Sequence, residues 1–238
     1  MSLMTHAGGW TATAGDLASV VVPDETDSYK PVPYGRLIEE VKIHVPRFGL
    51  KVEREEYALA REGSQMFGVL TCSNGHVADW RLAIGLRSSY DRSLAVQLVA
   101  GSRVFVCDNL AFSGETQVSR KHTVNVFRDM PELIYGMLSQ VAIMKQAIGL
   151  EIEMMKARDL DDQTAHHLML MAVRKNALPA SKLPRLIEEW DSPQFPEFKE
   201  RTAWSLYNAF TAVQKARQPW DQMDGTLRLS RVFREALN

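Results

Sequence analysis

At 238 residues and 26.9 kDa the chain is long enough for one large domain or two small ones, and 45% hydrophobic against 24% charged residues suits a packed core. A formal net charge of −1 and a pI near 6.6 exclude a global electrostatic footprint for nucleic acid, so any such affinity rests on local patches. No apolar run approaches the roughly 20 residues of a membrane helix, and residues 1–30 lack the basic start and apolar stretch of a secretory leader, so a reducing, cytoplasmic location is expected.

Residues 1–30 are small and polar, with the acidic run Asp24-Glu25-Thr26-Asp27, and read as a flexible arm holding one short extended piece over residues 18–22. Leu37, Ile38, Val41 and Val45 fall on one face at helical spacing, predicting a helix from Pro33-Tyr34 to Val45 that Pro46 stops. The period then changes. Residues 50–59, 66–71, 82–86, 94–99 and 104–107 read as strands, with Gly101-Ser102 as the turn between the last two. From Met130 onward the pattern is helical, and Ile134, Met137, Val141, Met144 and Ile148 form an apolar seam. Further helices are expected at 162–175, 182–190, 202–216 and 228–237, and Asp159, Asp161 and Asp162 read as the end of one helix and the N-cap of the next.

Short turns between successive strands imply hairpins and meanders, so the fold class is α+β. The expected architecture is an antiparallel sheet of four or five strands in the first half, covered on one face by helices from the C-terminal half. The other face is left for solvent or a ligand. The segments are an arm at 1–30, a strand-rich α+β core at 31–130 and a helical region at 131–238 packed on the sheet, together one domain.

Chemistry-bearing motifs are sparse. The chain contains neither GxxxxGK[ST] nor GxGxxG, which removes the P-loop and dinucleotide readings. Cys72 and Cys107 lie 35 positions apart, His76 and His122 have no ligand spacing to either, and the side chains of His166-His167 point about 100° apart on a helix. No metal and no cofactor are expected. Both cysteines read as free thiols buried in strands. A nucleophile–base–acid trio can be drawn from Cys107, His122 and Asp91, but a buried strand cysteine beside two surface polar residues explains the same positions.

The segment from Arg81 to Arg128 differs in kind. It carries seven Lys/Arg against Asp91, Asp108 and Glu115, and Trp80, Tyr90, Phe105, Phe112 and Phe127 interleave with the arginines. Guanidinium groups suit phosphates and exposed aromatics stack bases. The candidate nucleic-acid-binding residues are therefore Arg87, Tyr90, Arg92, Arg103, Arg120, Lys121 and His122. A sheet with buried aromatics and solvated arginine tips fits the same residues, and Ser88, Ser89 and Asp91 are also turn formers. Glu151, Glu153, Asp159, Asp161 and Asp162 make the helical half acidic, so the chain is polarised.

Several short elements come in one order: Val45-Pro46-Arg47-Phe48-Gly49, Tyr57-Ala58-Leu59, Met66-Phe67-Gly68, Arg87-Ser88-Ser89-Tyr90-Asp91, Val106-Cys107-Asp108-Asn109, Arg120-Lys121-His122-Thr123 and Trp204-Ser205-Leu206-Tyr207-Asn208-Ala209. Over residues 30–216 the chain resembles the domain-of-unknown-function family described as phage/plasmid-like proteins. It departs from that family at Cys107-Asp108-Asn109-Leu110, where Cys-Thr-Asn-Gly is commoner. The resemblance implies a mobile-element context and no characterised reaction. The element order is also similar to that of single-strand annealing recombinases, a likeness of architecture alone that implies rings around a basic groove. Three readings follow. One is a non-enzymatic protein binding single-stranded nucleic acid as a homo-oligomer; the second is a protein-interaction module without nucleic acid; the third is an enzyme built on Cys107 and His122.

Overall fold

The computed structural model describes residues 9–73, 80–104, 110–214 and 219–237. The chain begins with a three-residue strand β1 (Trp10–Ala12) and a short helix α1 (Ala14–Ser19), followed by α2 (Tyr34–His44). Five longer strands come next: β2 (Lys51–Ala60), β3 (Gln65–Ser73), β4 (Trp80–Ser89), β5 (Val96–Val104) and β6 (Leu110–Arg120). The rest is helical, as α3 (Val126–Ala157), α4 (Asp162–Arg174), α5 (Leu183–Asp191), α6 (Ala203–Gln214) and α7 (Pro219–Leu237). No helix among the described residues is long and apolar enough to cross a membrane.

The α+β class with an antiparallel sheet is what the structure has, with six strands rather than four or five. They lie in sequence order and every neighbouring pair is antiparallel, an unbroken meander. Two added strands, β1 and β6, enlarge the sheet. Within residues 9–30, Thr13 and Asp16 cap α1 reciprocally, Leu17 is buried, and β1 pairs with Tyr57–Leu59 of β2. Gly101-Ser102 is no turn. These residues lie inside β5, opposite Ala83 and Leu82 on one side and Phe112 and Ala111 on the other. Bonding on both edges overrides the local glycine signal, and the irregularity that Gly101 allows is a register shift after Val99.

Helix ends follow local chemistry. A 3-10 turn at Val45–Phe48 ends α2, and Gly49 takes the left-handed conformation at φ +67°. Asp161 caps α4, its Oδ1 accepting from the Thr164 N–H at 2.7 Å. The capping role expected in the 159–162 acidic cluster falls to this residue.

The core forms on the sheet face that carries Leu59, Met66, Leu70, Leu82, Ile84, Leu86 and Leu98, against apolar side chains from α2, α3 and α6. On β3, Gly68 sits under the ring of Tyr57, where a Cβ would come within 3.0 Å of the ring. Ile134, Met137 and Val141 of the expected seam are buried in this core; the side chains of Met144 and Ile148 lie outside the described residues. The α6 helix is buried on nearly every side, with Trp204 and Tyr207 stacked and Phe233 of α7 edge-on to Tyr207 and Phe210.

The opposite face is not left open as expected. Phe67, Val69, Ala83 and Val99 are buried there with Leu227 of α7 over them. The central strands are apolar at both alternating positions, so each face needs a cover, and α7 supplies the second.

Candidate nucleic-acid interface

The meander brings the β2–β3 turn, the β4–β5 turn and the last residues of β6 to one end of the sheet, since Gln65 pairs with Ser89 and Val96 with Arg120. In the first turn Arg61, Glu62 and Gly63 are left-handed in succession, at φ +48°, +57° and +88°. In the second, Arg92 is left-handed at φ +61°. Two arginines thus occupy backbone conformations that cost a side-chain-bearing residue about 1 kcal/mol or more relative to the right-handed region.

The turns are tied together. The Tyr90 N–H donates to the Ser64 carbonyl at 2.7 Å, and Gln65 Nε2 donates to Asp91 Oδ2 at 3.0 Å. Asp91 also accepts from Ser93, and its second oxygen lies 3.5 Å from Arg61 Nη1. Burial alone would raise the Asp91 carboxyl, but hydrogen bonds from Ser93, Ser89 and Gln65 outweigh it and hold the group below its usual range.

Beneath the turns lies an aromatic cluster. Tyr34 and Tyr90 stack at 4.1 Å with rings 3° from parallel; the Tyr34 N–H donates to the Tyr90 hydroxyl, and the Tyr34 hydroxyl donates to the Gly63 carbonyl. Tyr29 donates its hydroxyl to the Tyr90 carbonyl, and the Arg92 guanidinium lies 4.2 Å above the Tyr29 ring. His122 is buried beside Tyr29, with Nε2 3.3 Å from Ser88 Oγ. Burial pushes the His122 imidazole below its ordinary pKa, and backbone hydrogen bonding with Lys30 and Leu94 offsets this only in part.

The seven sequence-predicted residues divide accordingly. Arg92 and Lys121 are exposed at this end. Arg120 is there too, its guanidinium 2.6 Å from Asp129. Tyr90 and His122 are at the same end but buried, so they shape the turns and offer no ring face to a base. Arg87 sits on the closed face, mostly buried, 3.1 Å from Asp224 of α7. Arg103 pairs with Arg81 toward the far end of the strands, and its side chain lies outside the described residues. The same holds for the side chains of Trp80 and Phe112 and for all of Phe105 and Cys107, so the Cys107–His122–Asp91 trio falls partly outside them.

Two further cations stand here that are not among the seven: Arg61, largely exposed and 3.5 Å from Asp91, and Arg128, which closes the basic segment and is largely exposed, 2.9 Å from Asp129. For the first, Arg61-Glu62-Gly63-Ser64 between two strands carries a turn signal that could have found it. The charge at this end is mixed. Arg61, Arg92, Arg120, Lys121 and Arg128 stand with Glu62, Asp91 and Asp129. A groove of about 590 Å³ flanks the β2–β3 turn, and its lining includes Val20, Val21 and Leu59 together with the carboxylates of Asp16, Glu62 and Asp91. Those carboxylates repel phosphate, so a polyanion would lie on the Arg92–Lys121–Arg128 side.

Fold and site together define an antiparallel meander backed by a helical half, with a loop-built cluster of cations at one sheet end. The chain belongs to the DUF932 family, a domain of unknown function, which it matches over residues 25–232. No curated protein and no solved structure matches it.

Proposed function

We propose that this chain is a non-enzymatic protein of a phage- or plasmid-type mobile element. It binds single-stranded nucleic acid as a homo-oligomer in the bacterial cytoplasm, in the service of strand annealing or recombination. The observation that carries this reading is the convergence of exposed Arg61, Arg92, Lys121 and Arg128 at one sheet end, two of them on left-handed turns. Backbone strain concentrates where a side chain must be presented, and a guanidinium fork suits a phosphodiester. The strand is held by its phosphates, since the buried Tyr90 leaves no stacking platform there.

A labelled single-stranded DNA shifted by micromolar protein at about 50 mM salt, with affinity falling steeply as salt rises, is the expected result. Replacing Arg92 and Lys121 together by alanine lowers affinity and flattens the salt slope by about one for each phosphate no longer neutralised. Absence of any shift at low salt ends the reading.

The competing reading, a protein-interaction module that ignores nucleic acid, draws on the neutralised arginines: Arg87 with Asp224, Arg81 with Glu53 and Arg120 with Asp129. It expects no shift and a stable complex with one host or phage protein.

A further inference from the structure

The buried seam of α3 has a counterpart on the opposite face of the helix. Ile143, Ala147, Leu150 and Met154 all face solvent, Ile143 at 77%, Leu150 at 65% and Met154 at 64% exposure. Their spacing of four, three and four is the repeat by which two helices interlock side chains. It is carried on a helix of 32 residues, about 48 Å long at 1.5 Å per residue.

We infer that this stripe is the interface between two copies of the chain, packed with their α3 helices antiparallel about a two-fold axis. The spacing is a palindrome. Reversed about the midpoint between Ala147 and Leu150, it sets Ile143 against Met154 of the second copy and Ala147 against that copy's Leu150. Small meets large at the centre, where the helices approach most closely. The surface is its own complement.

Electrostatics agree. Glu151 is bound by two Arg234 nitrogens at 3.0 and 3.1 Å, and Glu153 accepts from Lys156 at 2.9 Å. The carboxylates flanking the stripe are therefore neutralised within the chain, and pairing buries no lone charge from them. The exposed stripe amounts to roughly 500 Å² per copy, so a symmetric pair removes about 1,000 Å², the lower edge of a specific interface. An interface of that size makes a concentration-dependent dimer. This deepens the homo-oligomeric part of the proposed function and names its surface, but it stands on α3 alone and needs no nucleic acid.

Sedimentation of the full chain over a range of concentrations tests it, with a rise from the 26.9 kDa monomer toward twice that mass expected. Ile143→Glu with Leu150→Glu holds the chain at monomer mass while its circular dichroism stays that of the wild type. In a Cys107→Ser background, Ile143→Cys chains mixed with Met154→Cys chains cross-link to each other on oxidation, and neither cross-links with itself. A monomer at every concentration, a dimer unmoved by the glutamates, or self-linked Ile143→Cys each overturns the inference. DNA binding measured alongside keeps the two claims apart. A stripe-dependent dimer that shifts no DNA sinks the nucleic-acid reading alone, and DNA binding by a monomer sinks this one together with the homo-oligomeric part of that reading, leaving nucleic-acid binding standing.

Discussion

His122 shows how one side chain couples the sheet end to pH. It is buried against Tyr29, its carbonyl accepts from the Lys30 N–H at 3.0 Å, and Ser88 and the Leu94 backbone complete its surroundings. Its folded pKa lies below the ordinary 6.5, so the unfolded chain binds more protons at mildly acid pH. The His122 contribution is therefore complete above pH 6.5 and is lost as pH falls through that value toward the folded pKa. The melting temperature of the wild type should drop more between about pH 7.5 and about pH 5.5 than that of His122→Gln; equal drops would refute the assignment. Arg61 makes a second test. Glycine at its φ of +48° relieves strain, so Arg61→Gly should raise stability by up to ~1 kcal/mol in urea unfolding while weakening DNA binding. A loss of stability would show that the long side chain anchors the turn.

Among the elements, α7 matters most for what the sheet can present. Leu227 covers Phe67, Val69, Ala83 and Val99, Asp224 neutralises Arg87, and Leu229, Val232 and Phe233 enter the main core with α6. One helix thus joins both sheet faces. Leu227→Ala uncovers an apolar strip and should cost about 2 kcal/mol or more in denaturant unfolding, with a lower midpoint. An unchanged midpoint would mean the second face is covered by other means. The neighbouring long helix α3 divides its labour by face, burying Ile134, Met137 and Val141 and exposing Ile143, Leu150 and Met154.

At the scale of the molecule, the meander gathers the turns and the β6 terminus at one end, while the exposed α3 stripe lies on the helical half. Pairing through α3 would join two chains and offer a nucleic-acid strand two cation clusters, raising affinity by effective concentration with the same cations. Such coupling shows as steeper binding by the wild type than by the α3 glutamate variant. Identical curves would separate dimer formation from nucleic-acid binding.

Periodicity alone determined much of this fold: α2 from its four buried apolar positions, α4, α5 and α6 to within two residues at either end, and the antiparallel strand-rich half. Those signals are local, and they report which side of an element is buried. Register is not local. Gly101 and Ser102 carried a turn signal that two neighbouring strands overrode, and β6 was hidden because Ser113, Gly114 and Glu115 resemble a loop. The candidate site divided the same way. Arg92 and Lys121 were legible as exposed cations, but Arg87 is neutralised by Asp224, 137 residues away, and Tyr90 is sealed by Tyr34. Sequence specified which residues have charge to offer. Only the tertiary structure decided which of them still face solvent, because a partner is chosen by proximity in space.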